Sequence, residues 1–323
     1  MKELNVKYIR TRIDSETYNK FRIYSLQKGM NFNEALIDLI KTSTQGIDNQ
    51  KYPISDDDMY YMAGLLDGDG TICITKEKTR ESYSPAVHLS STDFDIVKFF
   101  QMRFGGTIRN VDSTKKRKFV WYAQGIEAID TVTEFLPFIF LTRKVHAAKC
   151  VIEFGKTLSE HKLSKEIIDS RKNLYLQSKN TNAHGHNQSF NIGIIPPIQY
   201  LAGIFDAEGC ARVTRCKSQY STQYGIALLV KMCDYEPIVA FHKTYGGNLC
   251  ECKPGKTGRK PSALWRINGK EAGNIAKNIM QFSRCKRKGE CLSIINEFSA
   301  LIGYRGTNTK RELLYSRYKE LVK

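Results

Sequence analysis

YMAGLLDGDG at Tyr61–Gly70 returns as YLAGIFDAEG at Tyr200–Gly209, 139 residues later. FGG at Phe104–Gly106 returns as YGG at Tyr245–Gly247, and Asp93 and Asp234 each stand twelve residues before the middle glycine. WYAQGIEA (Trp121–Ala128) matches WRINGKEA (Trp265–Ala272), and PFIFLTRK (Pro137–Lys144) matches QFSRCKRK (Gln281–Lys288). Landmarks that keep their order and nearly their spacing mark a duplicated unit rather than chance similarity.

The two copies read alike. Ser55 with Asp58 forms a capping arrangement for a first helix in one copy, and Pro196–Pro197 suits the start of the other. Each helix is expected to end on glycine, Gly70 or Gly209. TICIT (Thr71–Thr75) and CARVT (Cys210–Thr214) have strand composition, with second strands near Val87–Ser91 and Ile226–Met232. A helix, a Gly-Gly turn, two more strands and a last helix (Lys144–Phe154; Lys286–Ile302) complete an αββαββα order. Four antiparallel strands backed by helices give an α+β fold, with Trp121 and Trp265 in matching core positions. The expected organisation is an N-terminal module over residues 1–50, a first repeat over 51–160, a charged helix and polar linker over 161–195, and a second repeat over 196–323.

Composition narrows the class. The 323 residues carry 50 Lys and Arg against 33 Asp and Glu, a formal charge of +17, and are 41% hydrophobic. That supports ordinary cores and excludes disorder as the dominant state. The basic excess is spread along the chain, as for a folded surface that meets a polyanion. No apolar run is long enough to span a bilayer, and MKELNVKYIR has no secretory h-region, so a cytoplasmic location is expected. Nine cysteines without paired CxxC spacing indicate reduced thiols rather than a zinc site. His184 and His186 sit in a polar stretch that reads as linker.

The chemistry lies at the repeated decapeptide. Ala63, Gly64, Ala202 and Gly203 are small enough for two helices to pack backbone to backbone. Such packing brings the helix C-termini together and makes neighbours of Asp69 and Glu208. Two close carboxylates repel unless a cation bridges them, and hard divalent ions such as Mg²⁺ prefer oxygen ligands. A bound ion there would polarise a phosphodiester and activate water. Asp67 and Asp206, two residues earlier, are expected to be structural.

MAGLLDGDG and LAGIFDAEG resemble the signature of the LAGLIDADG homing endonucleases of the monomeric, two-motif kind, departing at Met62, Leu66, Gly68, Phe205 and Glu208. The resemblance covers residues 55 to about 300. It implies two pseudo-symmetric repeats forming a DNA-binding saddle. It also implies metal-dependent double-strand cleavage of a long, non-palindromic site, with Asp69 and Glu208 as catalytic metal ligands assisted by the carbonyls of Gly68 and Ala207. A lysine near the end of each repeat assists catalysis in the family. Lys286 aligns with it, Thr142 stands there in the first copy, and Arg143 or Lys144 could substitute. The family's water-ordering residues fall on Ser91 and on Met232, and a methionine cannot order water. Some proteins of this fold splice intron RNA or have lost cleavage, so a maturase or an inactive DNA binder is the alternative.

Strand alternation nominates DNA contacts. They are Thr75, Glu77, Arg80, Arg109 and Lys118 in the first half, and Arg212, Arg215, Lys217, Lys253 and Arg266 in the second. Lys115 and Lys116, with Lys256 and Arg259, suit loop contacts to phosphate, and so do Arg143 and Lys144. Val6–Ile13 alternates as a strand and is followed by two helical stretches, an order that resembles a ribbon-helix-helix DNA-binding unit. That resemblance would pair two copies of residues 1–50 and turn Tyr8, Arg10 and Arg12 toward bases. A small αβ appendage is the competing reading, and a transcription regulator led by this module is a third function to weigh.

Overall fold

The structure is a computed structural model describing residues 15–31, 34–39, 55–77, 79, 81–112, 117–158, 164–219, 221–253, 260–304, 306 and 308–322. The chain divides into two compact units, Met1–Pro53 and Ile54–Lys323. In the first, α1 (Ser15–Lys28) ends at Gly29, whose φ is +64°, and a helix α2 covers residues 34–39. Asn31 N–H donates to Glu34 Oε2 at 2.9 Å while Glu34 N–H donates to Asn31 Oδ1 at 3.0 Å, a reciprocal cap. The expected strand with Tyr8, Arg10 and Arg12 lies outside the described residues.

The second unit is built twice over. Helix α3 (Asp56–Asp69) starts at Ser55, whose Oγ accepts from Asp58 N–H at 3.2 Å. It leads into β1 (Gly70–Lys76), β2 (Tyr83–Ser91), α4 (Phe94–Phe104), β3 (Thr107–Asp112), β4 (Arg117–Gln124), α5 (Ile126–Phe135) and α6 (Thr142–Lys156). After α7 (Lys165–His184) the series repeats as α8 (Ile198–Glu208), β5 (Gly209–Lys217), β6 (Thr222–Met232), α9 (Tyr235–Tyr245), β7 (Asn248–Cys252), β8 (Ser262–Asn268), α10 (Gly269–Met280) and α11 (Lys286–Ala300). A last helix, α12 (Asn308–Leu321), follows. The antiparallel sheets have matching strand orders, β1-β2-β4-β3 and β5-β6-β8-β7.

The α+β fold of two pseudo-symmetric repeats is therefore present, with one more helix per repeat than expected. In α5 the buried residues are Ala128, Thr131, Val132 and Phe135, and in α10 Ala272, Ile275, Ala276 and Ile279 recur at the same helical spacing. Gly70 and Gly209 do end the motif helices as expected. Their backbones are extended (φ −85° and −75°), so each motif helix turns straight into its strand without a left-handed cap. Helix α7 runs on to His184, into the polar stretch that reads as linker, and there Asn182 Nδ2 donates to Ile72 O on β1 at 2.9 Å.

Trp121 and Trp265 are fully buried, and each indole N–H donates at 2.8 Å to the first carbonyl of a Gly-Gly turn, Gly105 or Gly246. Both glycines of each turn have positive φ, between 68° and 81°, which explains the repeated FGG and YGG. All nine cysteines are free thiols. No helix among the described residues is long and apolar enough to cross a membrane.

Candidate functional site

Helices α3 and α8 lie side by side at the centre of the unit. A methyl group on Gly64 would overlap the carbonyl oxygen of Tyr200 and lie 2.9 Å from Ile204 N; one on Gly203 would overlap Tyr61 O and lie 2.9 Å from Leu65 N. The approach continues to the C-terminal turn, where a methyl on Gly68 would overlap the Ala207 side chain. Small residues at these positions are what let two helix backbones touch.

Polar locks cross between the repeats. Tyr61 Oη donates to Asp206 Oδ2 and Tyr200 Oη to Asp67 Oδ2, both at 2.7 Å. Asp67 Oδ2 also accepts from the N–H groups of Phe140 and Leu141 at 3.0 and 3.1 Å, just before α6. Asp206 Oδ2 accepts from Arg284 and Cys285 N–H, both at 3.2 Å, before α11, and from Ser283 Oγ at 2.8 Å. Burial pushes both carboxyls above the usual range, against the pull of these donors. These aspartates are structural ties between motif helix, final helix and opposite repeat. Tyr61→Phe and Tyr200→Phe should each lower unfolding free energy by about 1–3 kcal/mol in urea melts, since each leaves a buried acid short of a donor.

Asp69 and Glu208 are the last residues of α3 and α8 and reach solvent. Lost hydration among the packed helix ends raises the pKa of each. The Asp69 charge raises Glu208 further, so the two acids do feel one another. The ammonium groups of Lys288 and Lys144 oppose the rise at both acids, and that of Lys118 opposes it at Asp69. Two oxygen-only donors in a partly desolvated place suit a hard divalent cation. Among the described residues no group of three or more His, Cys, Asp or Glu could hold a metal, so backbone carbonyls, water or a phosphate would have to complete any shell. The Ala207 carbonyl accepts from Lys288 Nζ at 3.0 Å and keeps one lone pair for such a role.

The basic clusters open α6 and α11, and three consecutive side chains go to three places. Thr142 Oγ1 donates to Glu236 Oε1, and Lys286 pairs with Asp95 at 3.2 Å. Arg143 Nε holds Asp234 at 2.9 Å, and Arg287 reaches Asp93 at 3.0 Å. Lys144 and Lys288 turn inward, onto carbonyls of their own motif helices. Each arginine thus grips an acid of the other repeat, and His186 joins at Asp234 with Nδ1 at 3.0 Å.

These placements correct two expected DNA contacts. Lys144 is fully buried, and Arg143 is 13% exposed and committed to Asp234, so neither faces solvent as a phosphate contact must. Lys286 is 81% exposed and pairs with Asp95 rather than with the motif helix; Lys288, two residues on, makes the carbonyl contacts. Ser91 Oγ accepts from Asp93 N–H at 3.1 Å at the start of α4 and keeps its own donor, while Met232 is buried and has no hydroxyl with which to order water.

The outward sheet faces carry most of the remaining candidates. Arg109 and Lys118 are exposed, Arg109 lying over the Tyr122 ring at 5.3 Å. Arg212, Lys217, Lys253 and Arg266 are exposed, and Arg266 Nε donates to Asn268 Oδ1 at 2.8 Å. Glu77 is exposed, and Thr75 is half-buried with its hydroxyl on Ser84 O at 3.0 Å. Arg215 is another correction: it shares the helix-packed face of β5 with buried Ala211 and Val213, where it pairs with Glu312 and stacks on Tyr315, 4.7 Å away. Arg80, Lys115, Lys116, Lys256 and Arg259 lie outside the described residues. Sequence reasoning missed Lys231, exposed on β6, although its alternation with buried Val230 and Met232 was the available signal.

Beside the acids the sheets differ. Thr71, His88, Tyr122 and Thr107 form one row of register partners; Cys210, Leu229, Arg266 and Asn248 form the matching row. The two halves therefore present different chemistry on either side of one pseudo-two-fold centre.

No protein-family model matches the chain, and a search of the curated proteins finds no match. Solved structures do match in fold. I-SmaMI bound to uncleaved DNA target in the presence of calcium ions is 13% identical, with 81% of this chain and 97% of that chain covered at a TM-score of 0.61. The LAGLIDADG homing endonuclease I-GzeII in complex with its DNA target is 17% identical, with 81% and 96% covered at a TM-score of 0.59. The I-SmaMI LAGLIDADG homing endonuclease bound to cleaved DNA is 14% identical, with 79% and 95% covered at a TM-score of 0.60. This chain shares the two-repeat fold of these LAGLIDADG homing endonucleases across about four fifths of its length.

Proposed function

We propose that this chain is a site-specific, metal-dependent endonuclease that breaks both strands of double-stranded DNA at a long, non-palindromic site. The observation that carries the reading is the meeting of Asp69 and Glu208, one from each copy of the motif, at the paired ends of α3 and α8. The shared fold of neighbours described as homing endonucleases with DNA supports it. Asp69 and Glu208, with the Gly68 and Ala207 carbonyls, would hold Mg²⁺. When bound, such an ion supplies Lewis-acid polarisation of phosphate and an acidified water. The chain's own residues do the rest. The unlike outward rows of the two sheets read unlike half-sites, which suits a non-palindromic target. Exposed Arg109, Lys118, Arg212, Lys231 and Arg266 hold the backbone or base edges, and Lys286 reaches a phosphate once its exposed pair with Asp95 opens.

The test is incubation of purified protein with a library of long duplexes and Mg²⁺, reading ends by sequencing. One preferred double-strand break is expected, together with binding that falls about 10³-fold or more between 50 and 200 mM salt. A retarded complex without any break would overturn the endonuclease reading in favour of a binder, and faster intron splicing without a break would favour a maturase. Deleting residues 1–50 should leave part of the specific binding; complete loss would shift recognition to that module.

A further inference from the structure

The third residue of each basic cluster does something that neither the acids nor the sheets account for. Lys144 is fully buried, and its Nζ donates to the carbonyls of Leu66, Asp67 and Gly70, the last two at 2.8 Å. Lys288 Nζ donates to Phe205, Ala207 and Gly209, each at 3.0 Å. An ammonium has three N–H donors, and both lysines use all three on one helix end. Two of the three acceptors correspond across the pseudo-two-fold, Leu66 with Phe205 and Gly70 with Gly209, and the third lies one residue further on in the second copy, so the arrangement recurs in two repeats of unlike sequence.

Burying an ammonium is costly, and burial pushes Lys144 down to about 8. A helix can end more cheaply on a left-handed glycine, which supplies backbone donors to its last carbonyls. Here Gly70 and Gly209 are extended, and their N–H groups reach only Leu66 O and Phe205 O, carbonyls that the lysines also bind. The remaining bonds bracket the acids. Asp67 O and Gly70 O lie before and after Asp69; Ala207 O and Gly209 O flank Glu208 on either side. Each lysine also rides on the helix whose lead-in N–H groups, just ahead of its first turn, are held by the buried aspartate of the same motif.

We infer that Lys144 and Lys288 are positioning residues, each ammonium fixing the backbone on both sides of its own repeat's acid and so the direction in which Asp69 or Glu208 presents its oxygens. The inference rests on the endonuclease reading for its catalytic consequence, but its structural content stands apart from that reading. Lys→Met keeps the stem and removes the donors; Lys→Gln restores two of them.

The experiment uses the full chain with Lys144→Met and Lys288→Met. Amide hydrogen exchange should accelerate at least tenfold at residues 69–71 in the first variant and 208–210 in the second, with the centres of α3 and α8 unchanged. Unchanged local exchange overturns the inference whatever the activity. In strand-resolved, single-turnover cleavage with Mg²⁺, each variant should slow at least 100-fold, more on one strand, with the favoured strand reversed between them. The Mg²⁺ needed for half-maximal rate should rise about tenfold, and DNA affinity without metal should stay within threefold. Equal slowing of both strands together with lost binding would instead mark a plain packing role and overturn it. Should a Met variant not fold, the Gln variants carry the same test, with intermediate exchange and rates expected. Wild-type protein that cuts nothing defeats the endonuclease reading, and the exchange result then still decides the positioning role.

Discussion

Asp69→Asn and Glu208→Gln should each abolish double-strand cleavage while DNA binding survives. Both substitutions keep size and hydrogen-bonding shape and remove a negative charge. The charge is what a divalent cation needs, and a neutral amide is a much weaker ligand for a hard ion. A cleavage rate lower by at least about 10³-fold is expected, since the loss falls on the metal's stabilisation of the reacting phosphate. Binding should hold or tighten, because removing an acid beside the phosphate backbone reduces repulsion. Strand-resolved cleavage and a mobility-shift titration on the same preparations check both halves. Either variant cutting at the wild-type rate would sink the two-acid mechanism.

Gly64→Ala and Gly203→Ala should be among the most damaging substitutions outside the acids. Each new methyl group would occupy the space of a carbonyl oxygen on the facing helix. A backbone oxygen in a packed helix cannot turn aside as a side chain can, so α3 and α8 must slide or part. Parting them exposes a shared core that includes Met62, Leu66, Leu201 and Phe205, all fully buried. A loss above about 4 kcal/mol is expected, out of the roughly 5–15 kcal/mol that stabilises a typical domain. Gly289→Ala in α11 is the control: its methyl would meet only Ser283 Oγ, at 4.0 Å, so it should be neutral or stabilise by up to about 1 kcal/mol. Urea denaturation of the three variants gives the comparison, and equal stabilities would contradict the close-packed helix pair.

Much of this was legible in the sequence because it is local and repeated. The two decapeptides carry small residues, helix ends and acids within ten positions, and the Gly-Gly turns and tryptophans recur in register. Helices α5 and α10 were also within reach, for their apolar residues fall at helical spacing behind the WYAQGIEA and WRINGKEA landmarks. What could not be read was direction. TRK and KRK look alike as polar clusters, yet successive helix residues point about 100° apart, so the first two reach different acids of the other repeat and the last reaches its own motif helix. The tyrosine–aspartate ties join residues 145 and 133 positions apart and leave no local trace. Arg215 read as a sheet-face contact beside Arg212, yet three residues on in a strand is the opposite face, the one it shares with Ala211 and Val213, and there it meets Glu312, 97 residues on.

The crossed ties have a consequence for how such a chain can change. Arg143 needs Asp234, Arg287 needs Asp93, Tyr61 needs Asp206 and Tyr200 needs Asp67, so every tie has one member in each repeat. Neither repeat can be swapped for a foreign counterpart, or expressed by itself, without stranding a carboxylate whose partner stayed behind. The sheet faces, which take no part in these ties, can drift independently. Fusion of the duplicate thus joins two halves that are free to diverge in what they touch and bound to each other in what they hide.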